Sequence, residues 1–451
     1  MSAGIFLAPE AALVADYVTV EIALASNWTR RLLLIGTLIV SAAFLYHAAK
    51  FFWADRRLDS EILPSMERGA AMVPGDADAW DRLGRFRQWS FDEPDPSAAI
   101  ADFQRAVHIE PLWPFYWIDL ATAYETAGDA TRARQAFEQA KSVYPVSAQV
   151  AWDYGNFLLR QQDYTDGYAE IQKAVRGDAT LVPLAISRVW RSSQDVNILV
   201  DQILPPTQDS YFQALDFFQS NHLADPGLVV WKGLQTLGQP FPLARSFPFI
   251  EELIREDRAD DARQAWMQAL AASSTTLPPA QPDSVMWDGD FTSDFINGGL
   301  GWRWDEALGV AASFDRPPLE AQGRSLRLDF GGGTNLQLIS PSQYVPVEPN
   351  RAYHFHAFMR TEGITTESGV RFGIADPHHP AELNIATANL TGSNPWQPVD
   401  VDVTTAPETH FLIVYLYRLP SRLFENKLSG TVWAAGVTLT PGNRAPERSS
   451  P

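Results

Sequence analysis

The sequence predicts a multidomain chain in which one transmembrane helix precedes an all-α solenoid and an all-β sandwich. An uncharged apolar run lies near the start of the chain. Small and aromatic residues recur at a fixed spacing in the middle, and apolar residues alternate with polar ones in the last third. These patterns are typical of a membrane span, of stacked helical hairpins and of short antiparallel strands.

The composition disfavours several classes of partner and site. The chain of 451 residues carries a formal net charge of −19. Nucleic acids and anionic lipid surfaces are therefore disfavoured as direct partners, because both require dense patches of Lys and Arg. The sequence contains no cysteine, which excludes disulfides, thiolate metal sites and cysteine nucleophiles.

The apolar run predicts a transmembrane helix over residues 32–53, with residues 1–31 as a cytoplasmic segment. Phe51, Phe52 and Trp53 at its far end are typical of an interfacial aromatic belt. Basic residues flank the run on both sides, so local charge leaves its orientation open. An uncleaved signal anchor is favoured, in a single-pass protein of a bacterial inner membrane with most of the chain periplasmic or extracytoplasmic. A signal sequence cleaved near Ser41 and Ala43 is the alternative.

Residues 58–180 repeat a pattern of small and large side chains with a period of about 34 residues. The second halves of two successive units carry Ala99, Phe103, Ala106 and Pro111, then Ala133, Phe137, Ala140 and Pro145. The first halves of three units carry Trp80, Trp117 and Tyr154 near their starts. Such a unit cannot bury its apolar face alone, so neighbouring units stack. Residues 181–272 keep the helical character but lose the period, which predicts degenerate repeats.

This pattern resembles that of tetratricopeptide-repeat proteins, in which the first helices of the hairpins line a groove that binds a peptide. Transferred by register, the groove positions are Asp78, Asp81, Arg85, Phe115, Ile118, Thr122, Glu125, Gln149, Trp152 and Asn156. The subclass that clamps a peptide carboxyl terminus needs Lys, Arg and Asn at several of these positions, and only Arg85 and Asn156 qualify. The resemblance therefore implies an envelope protein partner that is bound through an internal surface or helix.

Residues 273–283 are rich in Pro, Ser and Thr, which predicts a linker. Beyond it, alternation with a period of two predicts strands within residues 325–330, 335–339, 353–360, 370–374, 399–403, 411–418 and 431–439. Short strands at this spacing predict an antiparallel sandwich over residues 284–441. Residues 442–451 are expected to form a disordered tail.

The β region opens with Trp287-Asp-Gly-Asp-Phe291, and Asn297-Gly-Gly-Leu-Gly-Trp302 follows. These segments resemble the start of carbohydrate-binding jelly rolls of the galactose-binding-like type. Members of that family often support a structural calcium ion with an acidic residue of the last strand, where this sequence has Gly436. Asp288 and Asp290 are the remaining candidate calcium ligands, and no other cofactor is expected.

Strand alternation also selects candidate glycan-binding residues. If Tyr353 and Phe355 face the core, the side chains at the alternate positions share the outer face. Side chains that can stack on a sugar ring or hydrogen-bond its hydroxyls are Gln337, His354, His356, Arg360, Arg371, Tyr415 and Tyr417. The alternative for this group is a partly solvated sheet or an interface with the repeats.

The chain is expected not to be an enzyme, because no catalytic constellation is recognisable. Asp376, His378 and His379 look like metal ligands, but neighbouring prolines place them in a loop, and a solvated loop is favoured. Asp400 and Asp402 are paired carboxylates on one strand, and the sequence indicates no cleft between them.

The sequence therefore predicts a membrane-anchored envelope adaptor. Its solenoid would bind a protein, and its sandwich would bind a polysaccharide or glycoconjugate during assembly or export. A purely structural protein–protein scaffold without sugar binding is a second hypothesis. A glycan hydrolase or lyase is a third, which requires two carboxylates facing each other across a cleft.

Overall fold

The computed structural model describes residues 26–90, 94–273, 283–306, 309–424 and 426–444. Within these ranges the chain forms fourteen α-helices followed by nine β-strands. This order confirms the predicted fold class of an apolar helix, a helical solenoid and an antiparallel β domain. The chain divides into two compact units, Met1–Pro145 and Val146–Pro451.

The first unit contains six helices. They are α1 (Asn27–Leu58), α2 (Leu63–Met72), α3 (Ala77–Trp89), α4 (Pro96–Ile109), α5 (Pro114–Thr126) and α6 (Ala130–Val143). In the described part of the chain, α1 is the one helix that is long and apolar enough to cross a membrane. It begins where the Ser26 hydroxyl accepts a hydrogen bond from the Trp28 backbone N–H, at 3.2 Å.

The helix α1 extends beyond the predicted residues 32–53 at both ends. One side of its last turn is buried, because Ala54 and Leu58 pack against α2 and α3, whereas Asp55 and Arg56 are exposed. This packing needs a glycine on α2, since a Cβ at Gly69 would lie 2.9 Å from the Ala54 carbonyl oxygen. The end of the apolar helix therefore packs directly on the first helices of the solenoid.

Small residues bring the two helices of each hairpin together, as the repeat pattern predicts. Ala99 and Ala133 are fully buried. A Cβ at Gly84 of α3 would lie 2.8 Å from the Phe103 ring of α4. The Phe103 ring occupies the space beside Gly84, which has no side chain. This contact sets the distance between α3 and α4.

The second unit begins with eight helices. They are α7 (Ala148–Arg160), α8 (Tyr164–Gly177), α9 (Val182–Ser193), α10 (Val196–Ile198), α11 (Gln208–Ser220), α12 (Ala224–Thr236), α13 (Phe247–Arg255) and α14 (Ala259–Ala272). The pair α7 and α8 keeps the repeat geometry, with Gly155 in close contact with Ile171. Short irregular turns separate several of the later helices, including a π-helical turn at Leu199–Ile203.

Nine strands form two antiparallel sheets. They are β1 (Val310–Asp315), β2 (Ser325–Gly331), β3 (Leu338–Pro346), β4 (Arg351–Ile364), β5 (Arg371–Ala375), β6 (Asn384–Ala386), β7 (Gly392–Thr404), β8 (Phe411–Arg418) and β9 (Ser429–Arg444). The five-stranded sheet has the order β1-β2-β9-β4-β7, and the four-stranded sheet has the order β3-β8-β5-β6. The inner faces of the two sheets pack together, with the Phe355 and Phe372 rings 5.0 Å apart.

Several strands differ from the prediction: β1 and β6 were not predicted, and β4 and β7 extend beyond their predicted residues. The strand expected at residues 335–339 begins only at Leu338, because the Asn335 side chain is held in a loop by hydrogen bonds with Ser421 and Arg418. Residues 442–444 were expected in a disordered tail, but β9 continues to Arg444, which pairs with Arg351 of β4. Residues 445–451 and 274–282, parts of the predicted tail and linker, lie outside the described residues.

Arg418 joins several loops at one end of the sandwich and is fully buried. Its guanidinium donates hydrogen bonds to the carbonyl oxygens of Ser368 at 3.0 Å and Asn426 at 3.2 Å, and to the Asn335 side chain at 3.0 Å. It also donates to the carbonyl oxygen of Leu336. These acceptors have no strand partner of their own, so one buried cation satisfies several loop ends.

The sandwich and the helices of the second unit share one hydrophobic core. Leu300 and Phe411 of the β region belong to the same buried cluster as the helices α7–α14. The rings of Trp266 on α14 and Trp287 meet edge to face at 5.4 Å. Gly299 lies against Trp266, where a Cβ would be 2.5 Å from the indole. The sandwich is therefore packed on the helices of the second unit.

The loop at residues 376–382, predicted to be solvated, is only partly so: residues 380–382 are exposed, but its first half lies at this junction. His378 Nδ1 lies 3.3 Å from one carboxylate oxygen of Asp257, and His410 Nδ1 lies 2.7 Å from the other. Asp376 is buried and accepts hydrogen bonds from the backbone N–H groups of His378 and His379, both at 2.8 Å. The polar side chains of this loop join the sandwich to the turn between α13 and α14.

Candidate functional site

The helices α3 and α5 lie side by side and run in the same direction in the first unit. Arg85 of α3 pairs with Asp119 of α5, and nearer the carboxyl ends of both helices Gln88 lies 3.5 Å from Thr126. We call the shared surface of these two helices the α3–α5 surface. It carries most of the groove positions that the repeat register predicts.

Two carboxyl groups and one guanidinium form the centre of the α3–α5 surface. Arg85 Nη2 lies 2.6 Å from an Asp81 carboxylate oxygen and 2.9 Å from an Asp119 oxygen. The Asp81 side chain is fully buried, whereas the Asp119 side chain is 26% exposed and that of Arg85 is 52% exposed. The α3–α5 surface therefore presents Arg85 and Asp119 to solvent and keeps Asp81 beneath them.

The environment of Asp81 favours its protonated form. Burial is the largest cause, and the negative charge of Asp119 adds to it, so that the pKa of Asp81 rises to about 8 although Arg85 opposes the shift. Burial also raises the pKa of Asp119, against the effect of Arg85. At neutral pH the Asp81 carboxyl is protonated and can donate a hydrogen bond to Asp119. Two carboxyl groups in such close contact leave no room for the glycosidic bond that a hydrolase must hold between them.

The other predicted groove positions of the first unit differ in exposure. Asp78 is exposed, Phe115, Thr122 and Glu125 are half-buried, and Ile118 is buried. The Thr122 hydroxyl donates to the Ile118 carbonyl oxygen at 2.9 Å. Ile118 thus contributes to the core, and the remaining four side chains are accessible to a ligand on the α3–α5 surface.

The predicted groove positions of the second unit lie on α7. Trp152 is half-buried and packs against the core of that unit, whereas Gln149 is exposed. Asn156 is buried and donates to the Trp152 carbonyl oxygen at 2.8 Å. The Asn156 amide therefore serves its own helix, and the Trp152 ring combines a packed face with an accessible edge.

The sequence prediction missed Asp119, because transferring the family register selected its neighbours Ile118 and Thr122. The sequence does contain a signal for it. Arg85 and Asp119 are 34 residues apart, which is one repeat period. Opposite charges one period apart on first helices predict an ion pair between adjacent hairpins.

On the sandwich, His354, His356 and Arg360 share the outer face of the five-stranded sheet, as strand alternation predicts. His354 Nδ1 lies 2.8 Å from Asp402, and His356 Nδ1 lies 2.7 Å from Asp400. The hydrogen bond to Asp402 raises the pKa of His354, and the hydrogen bond from His356 lowers the pKa of Asp400. Both histidines are thus engaged by carboxylates of β7.

Trp433, on the outer face of the five-stranded sheet, is covered by two arginines. Arg360 lies 4.4 Å from the centre of the Trp433 ring and Arg327 lies 5.4 Å from it. The ring is only 6% exposed. Beside it, Arg360, Glu362, Asn394 and Trp396 line an open depression. Trp396 supplies an aromatic ring to this depression. The sequence prediction did not select it.

The other aromatic candidates lie on the outer face of the four-stranded sheet. The Tyr415 and Tyr417 rings are 5.4 Å apart, and Arg371 lies 5.6 Å from the Tyr417 ring. Tyr415 covers Gly373, where a Cβ would be 2.5 Å from the ring. Gln337 is exposed and directly precedes β3 of the same sheet.

The predicted glycan-binding group is therefore divided between two faces. The structure places His354, His356 and Arg360 on one side of the sandwich, and it places Gln337, Arg371, Tyr415 and Tyr417 on the other. The two groups are separated by the two sheets and by the buried core that lies between them. One sugar ring can contact one of these groups but not both.

The candidate calcium ligand Asp288 is occupied by hydrogen bonds from its own loop. One carboxylate oxygen accepts from the Thr292 backbone N–H at 2.8 Å and from the Thr292 hydroxyl at 2.6 Å. The other oxygen accepts from the Ser293 backbone N–H at 2.8 Å. A cation bound by Asp288 would compete with these donors. The backbone oxygen of Asp290 accepts from the Arg324 N–H at 2.8 Å.

Within the described ranges, His222, Glu252 and Glu256 form the group whose ligand atoms are close enough to hold a metal ion. Glu252 is buried and pairs with Arg255, whose guanidinium also lies 3.2 Å from His222 Nδ1. The guanidinium already neutralises the buried carboxylate, so this cluster is explained as an ion-pair network.

No protein-family model and no curated protein sequence matches this chain. The structure is similar to a solved structure of PilF from Pseudomonas aeruginosa, with 16% sequence identity and a TM-score of 0.24. The similarity covers 44% of this chain and 78% of the PilF chain. A likeness at this score carries no functional inference.

Proposed function

We propose that this protein is a non-enzymatic, membrane-anchored adaptor whose α3–α5 surface binds a segment of a protein partner. The single observation that carries the proposal is the α3–α5 surface itself. The helix α5 presents Phe115, Asp119 and Thr122 in an accessible row, and the parallel helix α3 adds the exposed Asp78 and Arg85 above the buried Asp81. A helical-repeat surface of this kind offers side chains from successive helices to an extended or helical segment.

The charges near this surface favour a basic partner segment. Arg82 pairs with Asp55 of α1 at 2.7 Å, with Asp59 and, at 3.8 Å, with Asp78. Asp55, Asp59 and Asp78 are largely exposed, so one cation faces three carboxylates. The resulting excess of negative charge attracts Lys and Arg side chains and repels a free carboxyl terminus.

Peptide arrays probed with the purified full chain in detergent micelles test this proposal. Binding of internal peptides should increase with Lys and Arg content and weaken with salt. Asp78→Lys should weaken binding of basic peptides about tenfold. Asp166→Lys makes the same charge change on the exposed surface of α8 and is the matched control. Binding that is indifferent to peptide charge and to Asp78→Lys would contradict the proposed partner class.

The anchor and the location of the chain form the second part of the proposal. The helix α1 spans a bacterial inner membrane, and the solenoid and sandwich lie on its extracytoplasmic side. The apolar length of α1 supports this, because about 20 residues cross a bilayer core. A topology reporter fused after Pro451 should be active only outside the cytoplasm, and activity inside it would reverse the assigned orientation.

Glycan binding by the sandwich is the third part, and the depression beside Arg360 supports it best. There the partly exposed Trp396 ring lies beside the polar side chains of Glu362 and Asn394, a combination that suits sugar recognition. Retention of the full chain on polysaccharide affinity gels tests it. Trp396→Ala should abolish retention, and Tyr417→Ala on the opposite face should not. Failure of every polysaccharide to retain the chain would leave the purely structural scaffold as the role of the sandwich.

A further inference from the structure

One edge of the first unit exposes apolar side chains in the turn between α4 and α5. Leu112 is 79% exposed, Trp113 is 46% exposed and Ile109 is 36% exposed. The Trp113 ring contacts that of Phe115 at 5.4 Å, so it is held on the surface by a neighbour. Large apolar side chains grouped in one turn indicate a contact with something other than water.

The turn is held rigidly by a hydrogen bond that recurs in two repeats. Trp117 Nε1 donates to the Pro111 carbonyl oxygen at 2.9 Å, six residues earlier. Trp80 makes the equivalent bond to the Pro74 carbonyl oxygen at 3.1 Å. Because each indole is fixed to the turn before its helix, Leu112 is presented by an ordered backbone.

Contacts between neighbouring helices show where this turn lies along the axis of α1. Phe51 and Phe52 of α1 line one depression with Asp76 and Asp78, so the start of α3 is level with residues 51–52, and Arg85 of α3 pairs with Asp119 of α5. Counted back from the Arg85–Asp119 pair at about 1.5 Å per residue, the start of α5 lies within about 5 Å of the level of the start of α3, and therefore close to the level of residues 51–53 of α1. Those residues are the exposed aromatic end of the apolar run, with Phe52 at 61% and Trp53 at 55% exposure.

We infer that the turn containing Leu112 and Trp113 inserts into the membrane interface at the end of α1. The inference rests on the proposed anchor, since α1 places the bilayer surface at residues 51–53. The buried contact of Ala54 and Leu58 with α2 and α3 fixes the solenoid at that height. The solenoid therefore contacts lipid beside its anchor, through apolar side chains of the kind found at membrane interfaces.

The test uses the absence of cysteine from the sequence, because any single cysteine becomes a unique labelling site. The full chain with Leu112→Cys carries an environment-sensitive fluorophore and is reconstituted into phosphatidylcholine vesicles that contain doxyl-labelled lipid. Fluorescence should fall about twofold at this position, and the quenching should persist at high salt because it depends on apolar insertion. Leu112 is exposed, so its replacement leaves the packing of the hairpin intact.

Two further positions separate the possible failures. Trp89→Cys is the matched control, because Trp89 is equally apolar and 67% exposed but lies at the far end of α3, about 15 Å from the proposed interface. Phe44→Cys lies within the apolar run and should be strongly quenched. Quenching at 44 with none at 112 overturns the inference and leaves the anchor intact. Absence of quenching at 44 overturns the anchor and the inference with it.

Discussion

Asp81 shows how a single buried residue sets the character of the α3–α5 surface. Its carboxyl group lies beneath Arg85 and Asp119, where burial raises its pKa to about 8. Because the protonated side chain is neutral, Arg85 is left to balance the charge of Asp119. At neutral pH a partner therefore contacts the positive side chain of Arg85 beside the negative side chain of Asp119. The protonated Asp81 lies buried beneath them as a hydrogen-bond donor.

This pKa predicts how stability depends on pH. The folded chain binds the Asp81 proton more tightly than the unfolded chain, so the stability it contributes is complete below about pH 4 and is lost as the pH rises toward about 8. Asp81→Asn keeps a neutral side chain at every pH. Its melting temperature should exceed that of the wild type by more at about pH 8.5 than at about pH 5.

Thermal denaturation followed by helical circular dichroism measures this difference. Asp78→Asn removes an exposed carboxylate from the same helix and is the control. An Asp81→Asn advantage that is the same at both pH values would show that Asp81 is ionised in the folded protein.

Arg418 predicts a stability effect in the sandwich. Arg418→Lys keeps the charge but cannot reach the several loop acceptors that the guanidinium satisfies, so it should lower the free energy of unfolding by about 3 kcal/mol. Arg422→Lys makes the same change at an exposed position and should be near neutral. Denaturant unfolding monitored by tryptophan fluorescence provides the comparison. Equal midpoints for the two variants would contradict the structural role of Arg418.

The positions of single site residues were the hardest features to predict from the sequence. The alternation of β4 correctly placed His354 and His356 outside the core, because a period of two assigns faces directly. It could not show that Tyr415 and Tyr417 lie on the opposite side of the molecule, because alternation gives no information about which strands share a sheet. The strand order that separates them depends on contacts between residues distant in sequence.

At the scale of helices, the glycines of the repeat determine how closely a hairpin packs. Gly84→Val should push α3 away from the Phe103 ring and lower the free energy of unfolding by about 2 kcal/mol, a typical cost of overpacking. Gly75 lies in the turn before α3 with no atom within 4 Å of an added Cβ, so Gly75→Val is the control. Thermal denaturation compares them. A Gly84→Val variant as stable as the control would show that the hairpin tolerates a wider separation.

Helices and strands were predicted well where a regular period specified them. The repeat of about 34 residues identified the hairpins from α3 to α8, because each period brings the same small residues to the helix contact. The limits of α1 were not predictable from hydropathy, since its last turn ends in the polar sequence that packs on α2 and α3. The end of β9 was missed for a related reason, because pairing with β4 extends a strand whose sequence contains Pro441 and Gly442.

At the scale of the second unit, the shared core predicts that the sandwich and helices unfold together. Trp266 lies in that core against Trp287, and Trp266→Ala should weaken the contact and separate one calorimetric transition into two. Met267, its neighbour on α14, is 58% exposed, so Met267→Ala is the matched control. Two transitions already present in the wild-type second unit would show that the sandwich is energetically independent of the helices.

This arrangement changes the interpretation of the whole chain. The sequence suggested a solenoid and a sugar-binding sandwich joined by a linker, whereas the sandwich is packed on the helices through Trp266, Asp257 and their partners. Part of the sandwich surface is thus used inside the molecule. Among the described residues, the α3–α5 surface and the two outer sheet faces remain accessible to a protein or glycan partner.

Site-specific photo-crosslinking in native membranes tests most directly whether the α3–α5 surface binds a protein. A photoreactive amino acid at Thr122 lies on that surface, and the same amino acid at Gln135 lies on the exposed side of α6. We expect one discrete protein adduct from position 122, its loss in the Asp78→Lys background, and no such adduct from position 135. Identical adduct patterns from both positions, or no protein adduct from position 122, would contradict the proposed adaptor function.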